Sequence, residues 1–89
     1  MAHSVSAKKR IRQNATHRAR NRWRLRTMRA AIKAFQQDLA GEDLGAARES
    51  YRKACAVIDR TAQKGVIHRK QADRRKRRLN ASLKVRATA

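Results

Sequence analysis

The stretch L-R-T-M-R-A-A-I-K-A-F-Q-Q-D-L, Leu25 to Leu39, places apolar residues at Leu25, Met28, Ile32, Phe35 and Leu39. At about 3.6 residues per turn, this three-four-three-four spacing forms one narrow stripe on an α-helix, of the coiled-coil kind. The positions between are mostly Ala, Arg, Lys and Gln, good helix formers; no proline occurs in the chain and no glycine before Gly41. A helix with one apolar stripe requires a partner to cover it.

The partner follows directly. Beyond Gly41, Leu44, Ala47, Tyr51, Ala54 and Ile58 repeat the spacing, with Cys55 and Ala62 beside them, and Gly65 ends the pattern. Both glycines are expected as helix C-caps in the left-handed backbone that glycine adopts cheaply. A weaker third pattern has Val66 and Ile67, then Ala72, Leu79 and Leu83. The expected fold is all-α: a three-helix bundle with a long, projecting first helix. The helices span about residues 6–40, 43–64 and 68–84 of a single domain covering 1–89. Helices one and two should form an antiparallel hairpin through the short turn at Gly41, with helix three folded back on them.

Upstream of Leu25 the stripe stops, because its continuation falls on Asn21, Arg18 and Asn14. In its place stands R-A-R-N-R-W-R-L-R, Arg18 to Arg26, with arginine at every second position. At about 100° per residue, Arg18, Arg22 and Arg26 fall on one side and Arg20 and Arg24 roughly on the other. A rod cationic on two opposed sides suits a place between two walls of phosphate. The segment also holds like-charge pairs at i,i+4, such as Lys8–Arg12, Arg18–Arg22 and Arg20–Arg24, each costing a few tenths of a kcal/mol. About residues 5–22 are therefore expected to fray in the free protein and to become helical on a polyanion.

The charge balance points the same way. Lys and Arg number 25 against six Asp and Glu, a net charge of +19 in 89 residues. Such self-repulsion implies a polyanionic partner, nucleic acid above all. An anionic membrane fits less well, since cations surround the helices and leave no wide apolar face. No apolar run approaches the roughly eighteen residues of a membrane span, and the start of the chain has no apolar segment of the secretory kind. All charged residues before Asp38 are basic, charges balance from Asp38 to Gly65, and beyond Gly65 only Asp73 is acidic. The middle helix reads as a neutral brace between two cationic helices. With one Trp, one Tyr and one Phe, the core rests on Ala, Leu, Ile and Met, so stability should be modest.

The second cationic element is the run Arg74-Arg75-Lys76-Arg77-Arg78. Five consecutive cations repel one another and are read as a nucleic-acid contact, with a localisation signal as the competing use. Trp23, nearly opposite the Leu25–Leu39 stripe, allows two readings: stacking on an unpaired base, or packing against helix three or a neighbouring arginine. His3, His17 and His68 are too scattered for a metal site; His68 opens helix three, where it could touch phosphate or simply pack. Cys55 is the sole cysteine, which excludes an internal disulfide, fits a reducing cytosol and reads as a small core residue. No phosphate-cradling glycine loop, paired carboxylates or nucleophile with a base occurs, so no catalytic residue, metal, cofactor or small-molecule substrate is expected. Asp38, Glu42, Asp43, Glu49 and Asp59 are placed for caps and i,i+4 partners, for example Glu49 with Lys53.

Three segments also resemble a known family. S-A-K-K-R-I-R-Q-N (Ser6 to Asn14), R-A-R-N (Arg18 to Asn21) and G-V-I-H-R-K-Q-A-D-R-R-K-R-R-L (Gly65 to Leu79) are similar to the bacterial small-subunit ribosomal proteins of the S-twenty family. The resemblance covers nearly the whole chain. It implies a three-helix bundle, monomeric within the ribosome, that binds 16S ribosomal RNA among the other small-subunit components in the cytoplasm. By position, the RNA-facing residues would include Lys8, Lys9, Arg10, Arg12, Gln13, Asn14, Arg18 and Asn21. His68, Arg74 and Lys76 would follow from the second motif. The chain departs from the family's usual pattern at Trp23, Lys70 and Asp73. A nucleoid-type DNA-packaging protein is the rival that charge alone would permit.

Overall fold

The computed structural model describes residues 4–89 and contains three helices: α1 (Val5–Ala40), α2 (Leu44–Gln63) and α3 (Arg69–Thr88). The architecture is the expected all-α bundle with a long first helix. Each helix opens on a side-chain cap. Ser4 accepts from the Ala7 N–H at 3.1 Å, Asp43 from the Ala46 N–H at 3.2 Å, and His68 Nδ1 from the Lys70 N–H at 3.1 Å. Each cap satisfies an amide that the helix itself cannot.

The two glycine stops differ. Gly65 is left-handed, φ 77°, and closes a Schellman motif. Its N–H donates to Ala62 O at 2.9 Å, and the Val66 N–H reaches Thr61 O at 3.2 Å. Gly41, expected to be left-handed, is instead extended, φ −81° and ψ −178°, with its N–H donating to Asp38 O at 3.1 Å. The three-residue connection to Leu44 leaves α1 in this extended form, which needs no positive φ.

The five stripe residues of α1 turn inward. Met28 and Phe35 are fully buried and Leu25, Ile32 and Leu39 half-buried, against Ala54, Ile58 and Tyr51 of α2 and Ile67, Ala72 and Leu79 of the third segment. The Phe35 and Tyr51 rings meet at 5.8 Å between centroids, tilted by 55°, a favourable edge-inclined aromatic pair. α2 is the middle helix; α1 and α3 both lie along it and approach each other little. Cys55 is half-buried. Thr61, polar but at the next stripe position after Ile58, is buried, and its Oγ1 is satisfied by donating to Val57 O at 2.7 Å.

Polar ties between helices are few. The Ser50 hydroxyl donates to the Asp38 carboxylate, joining α2 to α1, and Arg86 Nη2 donates to Gly41 O at 2.9 Å, fastening the end of α3 to the first turn. Among the described residues the ion pairs are Lys76–Asp59 at 2.8 Å and Lys76–Asp73 at 3.9 Å. The Glu49–Lys53 pair expected from spacing does not form. An exposed i,i+4 pair gains only a few tenths of a kcal/mol, too little to hold two flexible side chains together.

The molecule measures 62 × 22 × 16 Å, with a radius of gyration of 17.7 Å. A compact chain of this length would have about 12 Å. The difference lies in α1, whose 36 residues extend to roughly 54 Å, against roughly 30 Å for α2. α2 therefore ends level with the arginine ladder, and the first half of α1 runs on alone.

Candidate nucleic-acid interface

Every residue from Lys8 to Trp23 is exposed, as the missing stripe requires. Lys8, Lys9, Arg10, Arg12, Gln13, Asn14, Arg18, Arg20, Asn21 and Arg22 all lie on this bare rod, and Arg26, also exposed, continues it beside the bundle. Arg24 is half-buried. The two sides of the ladder are thus unequal. Arg20 and Arg24 line a notch with His17, Asn21 and Lys64, where α2 ends against α1. Arg18, Arg22 and Arg26 lie outside this notch, all three exposed, and form the open side.

The run on α3 divides in a similar way. Arg74, Arg77 and Arg78 are exposed, whereas Arg75 and Lys76 are half-buried. Lys76 turns toward α2, and its ammonium is pushed above the ordinary value near 10.5 chiefly by the hydrogen bond to Asp59. Arg75 Nε is shielded without an acceptor among the described residues, at a cost of order 1–3 kcal/mol for such a donor. Five consecutive cations cannot share one face at about 100° per residue, so two of them turn toward the bundle and Lys76 braces it through Asp59. No local pattern announces this division, since Asp59 lies seventeen positions before Lys76.

A shallow hollow gathers His68, Lys70, Gln71, Asp73, Arg74 and Arg77 at the start of α3. His68 caps the helix through Nδ1, which as an acceptor leaves the ring proton on Nε2, free to donate outward. The first-turn amides of α3 and their positive dipole end add to the same surface. Because α2 runs back along α1 and α3 returns along α2, this hollow and the Lys64 notch occupy the end from which α1 projects. The opposite end is tied off by Arg86 and Gly41. Both cationic surfaces therefore lie at one end of the bundle.

Trp23 is 61% exposed and borders a crevice with Val57, Arg60 and Thr61 of α2 rather than with helix three. His17 and His68 lie on different elements, and His3 lies outside the described residues. Among the described residues no three His, Cys, Asp or Glu side chains come together, and no helix is long and apolar enough to cross a membrane.

Comparison with known proteins matches residues 2–84 to the sequence profile of ribosomal protein S20. A protein of Acinetobacter baumannii named small ribosomal subunit protein bS20 is 47% identical over 85 residues, which cover 96% of this chain and 97% of that protein. Proteins of the same name from Nitrosomonas europaea and Acinetobacter baylyi are 44% and 46% identical. The first is matched over 96% of this chain and 98% of its own length, the second over 99% of both.

Proposed function

The chain belongs to the ribosomal protein S20 family, and from that membership we propose that it is a structural component of the small ribosomal subunit that binds 16S ribosomal RNA directly. It is not an enzyme, and it acts in the cytoplasm as one copy among the other small-subunit components. The observation that carries the RNA-binding reading is the bare first half of α1, cationic on two sides and uncovered by any protein core.

Lys8, Lys9, Arg10, Arg12 and the arginine ladder neutralise phosphates that RNA folding brings close, while Gln13, Asn14 and Asn21 reach 2′-hydroxyls or base edges. His68, Arg74, Arg77 and Arg78 form the second contact. Lys76 acts at one remove, holding α3 to α2 through Asp59 so that the angle between the cationic surfaces is fixed.

Filter binding at physiological salt tests this, with 16S ribosomal RNA competing against a DNA duplex of equal phosphate number. Preference for the RNA by tenfold or more is expected. Equal affinity would assign the protein to DNA packaging instead.

A further inference from the structure

Trp23 is the single tryptophan of the chain, is 61% exposed, and borders a crevice of about 70 Å³ between α1 and α2. Val57 lies across from it on α2. The two threonines of the crevice contribute no free hydroxyl: Thr27 Oγ1 donates to Trp23 O at 3.0 Å and Thr61 Oγ1 to Val57 O at 2.7 Å. The floor is therefore apolar, while Arg24 and Arg60 stand at the rim. Arg24 is shared with the neighbouring notch, where Arg20 and Lys64 are joined by Asn21 and His17. No carboxylate lines either space.

An apolar platform beside a cationic notch matches one chemistry: a flat aromatic group carrying an anion. We infer that this corner binds an unpaired nucleotide, its base stacked on the Trp23 indole at the crevice and its phosphate held in the notch by Arg20, Arg24 and Lys64. A paired base cannot reach the site, because its faces are covered by its neighbours; the ligand is a loop, bulge or single-stranded segment. A purely apolar occupant, such as a protein side chain, would leave the notch without its anion. The inference rests on the RNA-binding reading above and adds a base-stacking contact, tolerant of base identity, to its phosphate contacts.

The single tryptophan makes the site its own reporter. Labelled oligoadenylate binding is followed by anisotropy, with tryptophan emission recorded in the same titration, and heparin serves as a polyanion without bases. Oligoadenylate should quench the emission strongly at saturation, whereas heparin at saturation should leave it nearly unchanged. Trp23→Ala should weaken oligoadenylate binding roughly five- to a hundredfold, the range for loss of one stacked base, and leave heparin affinity unchanged. Trp23→Phe should restore part of the loss. Since Trp23 is mostly exposed, both variants should keep the wild-type helical circular dichroism. Oligoadenylate that binds without quenching, or a Trp23→Ala variant that weakens heparin and RNA alike, overturns the stacked base and leaves the phosphate contacts standing. Failure of the unaltered protein to bind any RNA overturns both readings.

Discussion

Gly65 holds φ at 77° with nothing within 4 Å of where a Cβ would lie, so any cost of adding one is backbone strain alone. Gly65→Ala should therefore destabilise by about 1 kcal/mol, a drop in thermal midpoint of roughly 4–8 °C in a domain of this size. Gly41 is the contrasting case. Its backbone suits any residue, and an added Cβ would lie 3.4 Å from Asp38 O, so Gly41→Ala should leave the midpoint level or slightly raised. Equal losses at both glycines would contradict this assignment of the two turns. Two titrating side chains are shifted upward by their surroundings and so link stability to alkaline pH. Burial, then Cys55, pushes the Tyr51 hydroxyl above 10.0, and the bond to Asp59 raises Lys76 above 10.5. Both groups hold their protons more firmly folded than unfolded. Their contribution is intact below about pH 10 and is lost as pH rises through the raised values. The readout is the difference between the unaltered protein and the variants. In denaturant midpoints between about pH 8 and 11, Asp59→Asn and Tyr51→Phe should each flatten the fall shown by the unaltered protein. The Lys76–Asp59 pair, more than half exposed on the Asp59 side, should account for less than about 1 kcal/mol. Superimposable profiles would remove both groups from this linkage.

At the scale of elements, α1 is two helices in one, and the division falls at Leu25. From Leu25 to Leu39 it is held by the core; from Val5 to Thr16 it has its own hydrogen bonds and the Ser4 cap, and only the end of α2 borders it between His17 and Trp23. Helices of such length are marginal in water without tertiary support, and like charges at i,i+4 weaken this one further. Amide exchange in the free protein should show residues 5–22 nearly unprotected and residues 28–60 protected, with protection of the first region appearing on RNA. Equal protection in the free protein would mean that the rod is stable alone. This division was legible in the sequence because a stripe and its interruption are local patterns. Helix ends were less so. Ser4 and Ser6 can both cap, and the structure uses Ser4; after Leu83 neither glycine nor proline intervenes, so α3 continues to Thr88. What sequence spacing did not reveal depends on how the helices are rotated about one another. Asp38–Ser50, Lys76–Asp59 and Arg86–Gly41 join positions twelve to forty-five residues apart, and none follows from a helical period. Trp23 belongs with them: a helical wheel turns it away from the stripe, yet the end of α2 builds a crevice beside it.

For the whole molecule, the antiparallel course of the chain places the α2 end, the α3 start and the bare rod together, and so makes the two sides of the ladder unequal. Arg20 and Arg24 share a notch with Lys64, whereas Arg18, Arg22 and Arg26 lie outside it and are exposed. RNA held on the first side should also touch α2; RNA on the second should touch α1 alone. Replacing Arg18, Arg22 and Arg26 with Gln, or Arg20 and Arg24 with Gln, deletes charge while keeping helix propensity, so a binding defect reports phosphate neutralisation rather than unfolding. Each arginine–phosphate pairing removed should lower the slope of log K against log salt by about 0.7–0.9. The triple variant should therefore lower the slope by up to about 2–3, and the double variant by up to about 1.4–1.8. The footprints carry the sharper test. The RNA stretch deprotected by the Arg20 and Arg24 replacements should coincide with that deprotected by Lys64→Gln, because those three cations line one notch. The triple variant should deprotect a different stretch of RNA. If the two ladder variants deprotect the same stretch, the rod lies on one surface and does not bridge two. If the triple variant changes neither slope nor footprint, the open side is solvated, and the bundle end with its notch and α3 hollow accounts for binding alone.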